Sequence, residues 1–270
     1  MKIDMDGQSR ITLKYPIILV HGIVAHDRGG FIPFWGRIPE KLSENGVKVY
    51  YGNTDSLGDY KSNAKILKEN IDKALNETKA EKVNIIAHSK GGIDSRYCIW
   101  KYNYGDKVAS LTTISTPHNG SEIADLIYKQ KKLLYTKIVD KTLKIFWKFY
   151  GDINPDPLNV NYQLTTTQMK EFNELVIMDS NVFYQSLYTI LKNPFDDILF
   201  FYSNLYLKNI SGENDGFISE KSVKWGNNVI KLNGGISHAE ILDFKKKKIS
   251  RIDIPDIYLD IAKGLSEKGF

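Results

Sequence analysis

The chain has 270 residues and a mass of 30.9 kDa, enough for one domain with a large buried core. Its 42% hydrophobic and 26% charged content is ordinary for a folded globular protein, which argues against a disordered chain, and no apolar run reaches membrane-spanning length. The net charge of +5 is modest, and a single cysteine, Cys98, excludes an intrachain disulfide.

The start, Met1-Lys2-Ile3-Asp4-Met5-Asp6, is acidic where a signal peptide would be basic and then apolar. A cytoplasmic protein is expected, or one whose signal was removed before this numbering. Tyr15-Pro16-Ile17-Ile18-Leu19-Val20 reads as a buried strand (16–21) that ends in His21-Gly22-Ile23. A helix near 34–45, a strand near 47–52 and a helix near 60–79 follow. Val83-Asn84-Ile85-Ile86-Ala87-His88 then forms an apolar strand that meets Ser89-Lys90-Gly91-Gly92, and a helical pattern over 91–103 begins at once. A further strand is expected at 109–115. Residues 121–190 break the alternation and read as a helical insertion, with a helix at 165–176 inside it. Ile198 to Leu207 is apolar and aromatic and predicts a strand at 198–206. The last elements are a strand at 228–232, the glycine-rich loop Gly234-Gly235-Ile236-Ser237-His238-Ala239-Glu240, and a helix at 255–265. Alternating strands and helices imply a single α/β domain over 1–270, a mostly parallel sheet with helices on both faces.

The turn at Ser89 is the most informative part of the chain. Small residues two before and two after a serine, here Ala87 and Gly91, let strand and helix approach around a strained backbone and present the hydroxyl. Such a serine needs a base, an acid that orients the base, and two N–H donors for an oxyanion. The chain has five histidines: His21, His26, His88, His118 and His238. Of these, His238 is the one well downstream of Ser89, on a loop after a strand, and it is the expected base. The acid expected between them is Asp215 in Gly212-Glu213-Asn214-Asp215-Gly216, with Glu213 as the close alternative and Asp196 and Asp197 as weaker ones. The expected oxyanion donors are the backbone N–H groups of Ile23 and Lys90. His21 is read as structural, its ring holding the Ile23 loop. The basic run Lys245–Lys248 has no aromatic interleave or recognition motif and reads as a solvated turn, so no nucleic-acid partner is expected.

Within the insertion, residues 135–150 form an amphipathic helix. At 100° per residue Lys137, Lys141, Lys144 and Lys148 share one narrow face, and Tyr135, Ile138, Val139, Leu143, Phe146, Trp147, Phe149 and Tyr150 spread over the other. This is the pattern of a helix that can lie on a lipid surface. It is expected to act as a lid, with Leu143, Phe146, Trp147 and Tyr150 turned toward Ser89 in water and toward an acyl chain at a lipid interface.

Six stretches carry a resemblance: YPIILVHG from Tyr15, FWGRIPEKL from Phe34, VNIIAHSKGGIDSRY from Val83, STPHNGSEIAD from Ser115, LTTTQMKEFNEL from Leu164 and ENDGFI from Glu213. Together they resemble the bacterial triacylglycerol lipases of the Pseudomonas and Burkholderia type, within the α/β-hydrolase superfamily. The resemblance implies a lid-covered serine ester hydrolase acting on fatty-acid esters, with Ser89, Asp215 and His238 as its triad. An esterase, a phospholipase, a polyester hydrolase and an acyltransferase would use the same residues, and a binding protein that kept the fold is the non-enzymatic alternative. The alanine at 87 is closer to the small Bacillus lipases. The resemblance also implies a structural calcium near the histidine, with Glu240, two positions after it, as one acidic ligand. The second acidic ligand lies before the triad acid, where Glu213 is the one acidic residue between Tyr202 and Asp215. No required cofactor and no tight calcium requirement are therefore expected.

Overall fold

The computed structural model describes residues 2–3, 9–23, 26–27, 34–134 and 137–270. Near the start, β1 (Lys2–Ile3) pairs with β2 (Ser9–Arg10) in a small antiparallel ladder. The main sheet contains β3 (Ile17–Val20), β4 (Val49–Tyr51), β5 (Val83–His88), β6 (Val108–Ile114), β7 (Phe183–Tyr188) and β8 (Val229–Lys231). Their order across it is β4-β3-β5-β6-β7-β8, and every pair is parallel.

The central strands are apolar runs because both faces are covered. Ile17 and Leu19 of β3 and Ile86 of β5 pack with α1 (Ile38–Glu44) and α10 (Ile254–Glu267). Ile18 and Val20, with Ile85 and Ala87, pack on the opposite face with α2 (Tyr60–Thr78), α3 (Lys90–Tyr102) and α7 (Thr166–Leu175). Each fully buried Ile or Leu contributes about 1.5–3 kcal/mol relative to leaving it in water. Helix α2 shows how locally the sequence fixes an element. Asp59 caps its first turn by accepting from the N–H groups of Lys61 and Ser62, and Ala64, Leu67, Ile71 and Ala74 line its buried face.

Between β6 and β7 lie α4 (Glu122–Leu134), α5 (Lys137–Tyr150), α6 (Pro157–Gln163) and α7, a helical insertion that matches a lid region. After β7 come α8 (Phe201–Ile210) and α9 (Glu220–Val223). Two sequence expectations are corrected here. The strand expected at 198–206 is a 3₁₀ turn followed by α8, and the fifth strand of the sheet order is instead β7, inside the span assigned to the insertion. The run 198–207 buries Asn204 and Leu207 and leaves Ile198, Leu199 and Tyr202 in solvent, a one-sided helical pattern. In β7 the signal is hidden by Gln185 and Ser186, which are satisfied by partners on neighbouring segments. Gln185 donates to the Thr112 hydroxyl at 2.8 Å, and Ser186 donates to the Trp225 carbonyl at 3.0 Å.

The topology also places the site. The chain runs from β3 outward to β4 and then returns to β5 on the other side of β3. The loops after β3 and β5 therefore face each other at the carboxyl edge of the sheet, the position where open parallel sheets form their crevices.

Candidate active site

Ser89 occupies the turn from β5 into α3 with φ 53° and ψ −129°, a region that costs a non-glycine residue on the order of 1–3 kcal/mol. Close packing holds it there. A Cβ on Gly22 would lie 2.8 Å from the Ser89 Cβ, and one on Gly91 would strike the backbone carbonyls of His21 and Val20. The small residues around the serine are thus required by the approach of the β3 loop to the elbow.

Asp215, in the loop between α8 and α9, and His238, in the loop after β8, converge on this serine. His238 Nδ1 lies 2.8 Å from Asp215 Oδ2, and His238 Nε2 lies 3.1 Å from Ser89 Oγ. A carboxylate can only accept, so Nδ1 carries the proton and Nε2 is left to accept from the serine hydroxyl. The other oxygen, Asp215 Oδ1, accepts from the N–H of Phe217 at 3.0 Å and of Ile218 at 2.7 Å. The His238 N–H donates to the Asp215 carbonyl at 2.9 Å, which ties the two loops together. All three side chains are buried. Glu213, the alternative acid, points away and pairs with Lys231 at 2.8 Å on the surface.

The sequence reading missed a supporting residue, His88. Its Nε2 donates to the His238 carbonyl at 3.1 Å, and the two rings sit 4.6 Å apart. Burial, then the neighbouring His238, hold His88 well below the ordinary imidazole range, so it is neutral. Its signal in the sequence was its place next to Ser89 at the end of a buried strand. His118 is likewise neutral by burial and lies beside the Arg96 guanidinium, 3.2 Å away, which stacks over Trp225.

On the opposite side of Ser89, Lys90 opens α3, so its backbone N–H is one of the free donors of a helix start. Its side chain turns inward to Asp94 at 2.7 Å. The loop that carries Ile23 is held by His21, whose Nδ1 and Nε2 lie 2.6 Å and 2.8 Å from the carbonyls of Gly22 and Thr54. Behind this loop a chain of buried polar groups reaches the insertion. Asn63 donates to Asp94 at 2.8 Å and accepts from the Asp55 N–H at 2.9 Å. The Asp55 carboxylate accepts from the N–H groups of Ile153 and Asn154 at 2.8 and 2.7 Å. Asp152 returns the arrangement, accepting from Ser56 and Leu57 at 2.7 and 2.9 Å. His26 Nε2 lies 3.2 Å from Asp152 outside hydrogen-bond alignment. Burial raises the carboxyls of Asp27, Asp94 and Asp152 above their usual range and lowers His26. Asp55 and Asp152 were not legible as a clamp, because a lone aspartate in a loop reads as a turn former.

The lid residues are placed unevenly. Trp147 is buried and Leu143 and Tyr150 are half-buried, with the Tyr150 ring 5.9 Å from His26. Phe146 and Phe149 stand 53% and 92% exposed, turned to solvent rather than inward. Lys144, on the lysine face, pairs with Asp156 at 2.9 Å. Tyr135 lies outside the described residues.

Glu240 is committed to other partners. Its Oε2 accepts from the Ser237 N–H at 3.1 Å, and its Oε1 pairs with Lys245 at 2.6 Å. The same ammonium lies 3.8 Å from Asp197, which accepts from the Ser237 hydroxyl at 2.6 Å. A cationic side chain between two acidic ones does not fit a calcium site, and among the described residues no group of three or more His, Cys, Asp or Glu could hold a metal ion.

Comparison with known proteins bears on this geometry. The family model described as palmitoyl protein thioesterase matches residues 16–234. Triacylglycerol lipase 2 of Saccharomyces cerevisiae is 29% identical over 88% of this chain and 75% of its own length. A triacylglycerol lipase of Pseudarthrobacter phenanthrenivorans is 34% identical over 59% of this chain, and the matched part spans 53% of that protein. The mature Bacillus licheniformis lipase BlEst2 superposes with a TM-score of 0.69 at 23% identity, covering 94% of each chain.

Proposed function

We propose, for a chain that belongs to the palmitoyl protein thioesterase family and is a carboxylic ester hydrolase of the α/β-hydrolase fold, that Ser89 is the nucleophile, His238 its base and Asp215 the orienting acid. The observation that carries this reading is the unbroken line from Asp215 through His238 to Ser89, with contacts of 2.8 and 3.1 Å. Ser89 Oγ attacks the acyl carbonyl carbon as its proton passes to His238 Nε2. The negative charge that develops on the carbonyl oxygen is met by the N–H groups of Ile23 and Lys90. Asp215 holds the ring and stabilises the imidazolium without taking its proton. His238 then protonates the leaving alcohol, an acyl group remains on Ser89, and a water repeats the sequence to release the acid.

Fatty-acyl glycerol esters are the proposed substrate, of the kind that the names of the two triacylglycerol lipases describe. The resemblance to the Pseudomonas and Burkholderia type supports the same substrate class. A second reading, a long-chain acyl thioester, is favoured by the family match. It needs less acid assistance from His238, because a thiolate leaves more readily than an alkoxide. Leu143, Phe146, Trp147 and Tyr150 are proposed to meet the acyl chain when α5 moves. No calcium is proposed, since Lys245 supplies the positive charge between Asp197 and Glu240. EDTA should then leave the melting temperature within about 1 °C, whereas a metal bound to the native state alone would shift it by several degrees. Among the described residues no helix is long and apolar enough to cross a membrane.

A serine-reactive alkyl phosphonate should label Ser89 stoichiometrically, and p-nitrophenyl esters of increasing chain length, run beside a palmitoyl thioester, should reveal the acyl preference. A protein that is folded but neither labelled nor active on any of these would end this reading.

A further inference from the structure

A second apolar tract lies beside His238, in the stretch 195–202. Phe195, Ile198, Leu199 and Tyr202 are 73%, 75%, 73% and 84% exposed, all within two short 3₁₀ turns and the first turn of α8. One aromatic residue of the same stretch faces inward. The Phe200 ring lies 6.4 Å from the His238 ring, and a Cβ at Gly216 would strike the Phe200 Cβ at 2.5 Å. The stretch therefore touches the base with one side and offers four large apolar side chains to the surroundings with the other. Scattered exposed hydrophobics are ordinary, but a contiguous tract beside a catalytic crevice marks an interaction surface.

Charge indicates what covers it. Asp197, in the middle of the tract, lies 3.8 Å from Lys245, the first residue of the run Lys245-Lys246-Lys247-Lys248. All four lysines are exposed. Lys245 is spent on Glu240 and Asp197, whereas Lys246, Lys247 and Lys248 have no ion pair among the described residues. Lys192 is exposed at the near end of the tract, its stem over Gly235. The exposed acid there, Asp196, is engaged by the N–H and side-chain amide of Asn193. Apolar side chains beside unpaired ammonium groups match a lipid surface with anionic headgroups, the phosphates meeting the lysines and the acyl region taking the apolar groups.

We propose that Phe195, Ile198, Leu199 and Tyr202, together with Lys246, Lys247 and Lys248, dock this protein on an anionic phospholipid surface with the mouth of the Ser89 site toward the lipid. The purpose of the docking rests on the ester-hydrolase reading of the site, because the surface is where such substrates lie. The docking itself does not require turnover and is measured apart from it.

The full chain carrying Ser89→Ala is sedimented with vesicles of phosphatidylcholine alone and of phosphatidylcholine with phosphatidylglycerol. Binding should appear with the anionic vesicles and weaken with salt. Replacing Lys246, Lys247 and Lys248 by glutamine should weaken it on the order of 100-fold, at roughly fivefold per charge. Ile198→Ser, Leu199→Ser and Tyr202→Ser together should weaken it by at least the same factor. In the Ser89 protein both sets should keep turnover of a soluble butyrate ester, which verifies their fold. If the apolar variant misfolds, the lysine variant still decides. Unchanged binding in the lysine variant overturns the proposal, as does a wild-type dimer that the serine substitutions split while vesicles go unbound. Vesicle binding without any ester turnover would leave the docking standing and remove the hydrolase reading alone.

Discussion

The two sides of Ser89 are built by different means. On the His238 side, the proposed acid and base are fixed by short local bonds. Asp215 accepts from two N–H groups of its own loop and from the ring, and the His238 backbone is tied to Asp215 and His88. On the Ile23 side, buried carboxylates join elements far apart in sequence: α3 through Asp94, the loop after β4 through Asp55, and the base of the insertion through Asp152. The first side holds the contacts from Asp215 through His238 to Ser89 in register. The second holds a loop, a helix start and the base of the insertion together through charges that burial disfavours. Chemistry and support are thereby separated, and substitutions should divide accordingly.

The largest effects fall on the His238 side and on rate alone. Ser89→Ala should abolish labelling and nearly all turnover. Asp215→Asn and His238→Ala should each lower kcat by on the order of 10³-fold or more, with the melting temperature little changed. Glu213→Gln should stay near full activity, since its partner is the surface residue Lys231. A dead Glu213→Gln beside an active Asp215→Asn would reverse the assignment of the acid.

The counterpart on the Ile23 side falls on stability. Lys90→Met leaves the Asp94 carboxylate buried without its cation, which should cost about 3–5 kcal/mol in urea unfolding. Adding Asp94→Leu should restore much of that loss. Equal stability of the single and double variants would mean that the pair is not the junction described here.

The lid comes next. Phe146→Ser with Trp147→Ser should reduce turnover of emulsified long-chain glycerides about tenfold or more, from the lost apolar contact of an aromatic side chain. A soluble short-chain ester should be affected far less. Equal losses on both substrates would make α5 a structural helix.

Acidification gives the smallest effect and separates the buried imidazoles from the buried carboxyls by sign. His88 and His118 are held well below the ordinary imidazole value of 6.5, so below that pH the unfolded chain takes up protons that the folded one refuses. Their contribution to stability is full above pH 6.5 and declines as the pH falls below it. His26, on the Ile23 side, behaves in the same way. Asp27, Asp94 and Asp152 are raised above 3.8, so the folded chain binds the extra protons and their contribution grows on acidification. His88→Gln should flatten the acid fall of the melting temperature, and Asp152→Asn should steepen it. Parallel curves for wild type and both variants would remove these groups from the balance.

Much of the sheet and the line of Ser89, Asp215 and His238 were legible because they depend on local signals: apolar runs, a small-residue elbow and chain order. The strand at 183–188 was missed because Gln185 and Ser186 are satisfied only by partners on other elements. The segment 198–206 misled because apolar content was read as burial, whereas its side chains face outward. The Asp55 and Asp152 clamp joins residues 98 and 96 positions apart, and no window of the sequence contains both ends.

The same separation along the chain has a consequence for biosynthesis. Ser89 and its strained turn belong to β5 and α3, yet the hydroxyl meets its proposed base, His238, 149 residues further along the chain. The intervening insertion and the short edge strand β8 must be in place before His238 can reach it. A nascent chain, which folds from its N-terminal part onward, therefore carries an unarmed serine until the segment with His238 has emerged. Reactivity toward esters then awaits synthesis of the segment that carries His238, and labelling of Ser89 on stalled chains of increasing length would time its arrival.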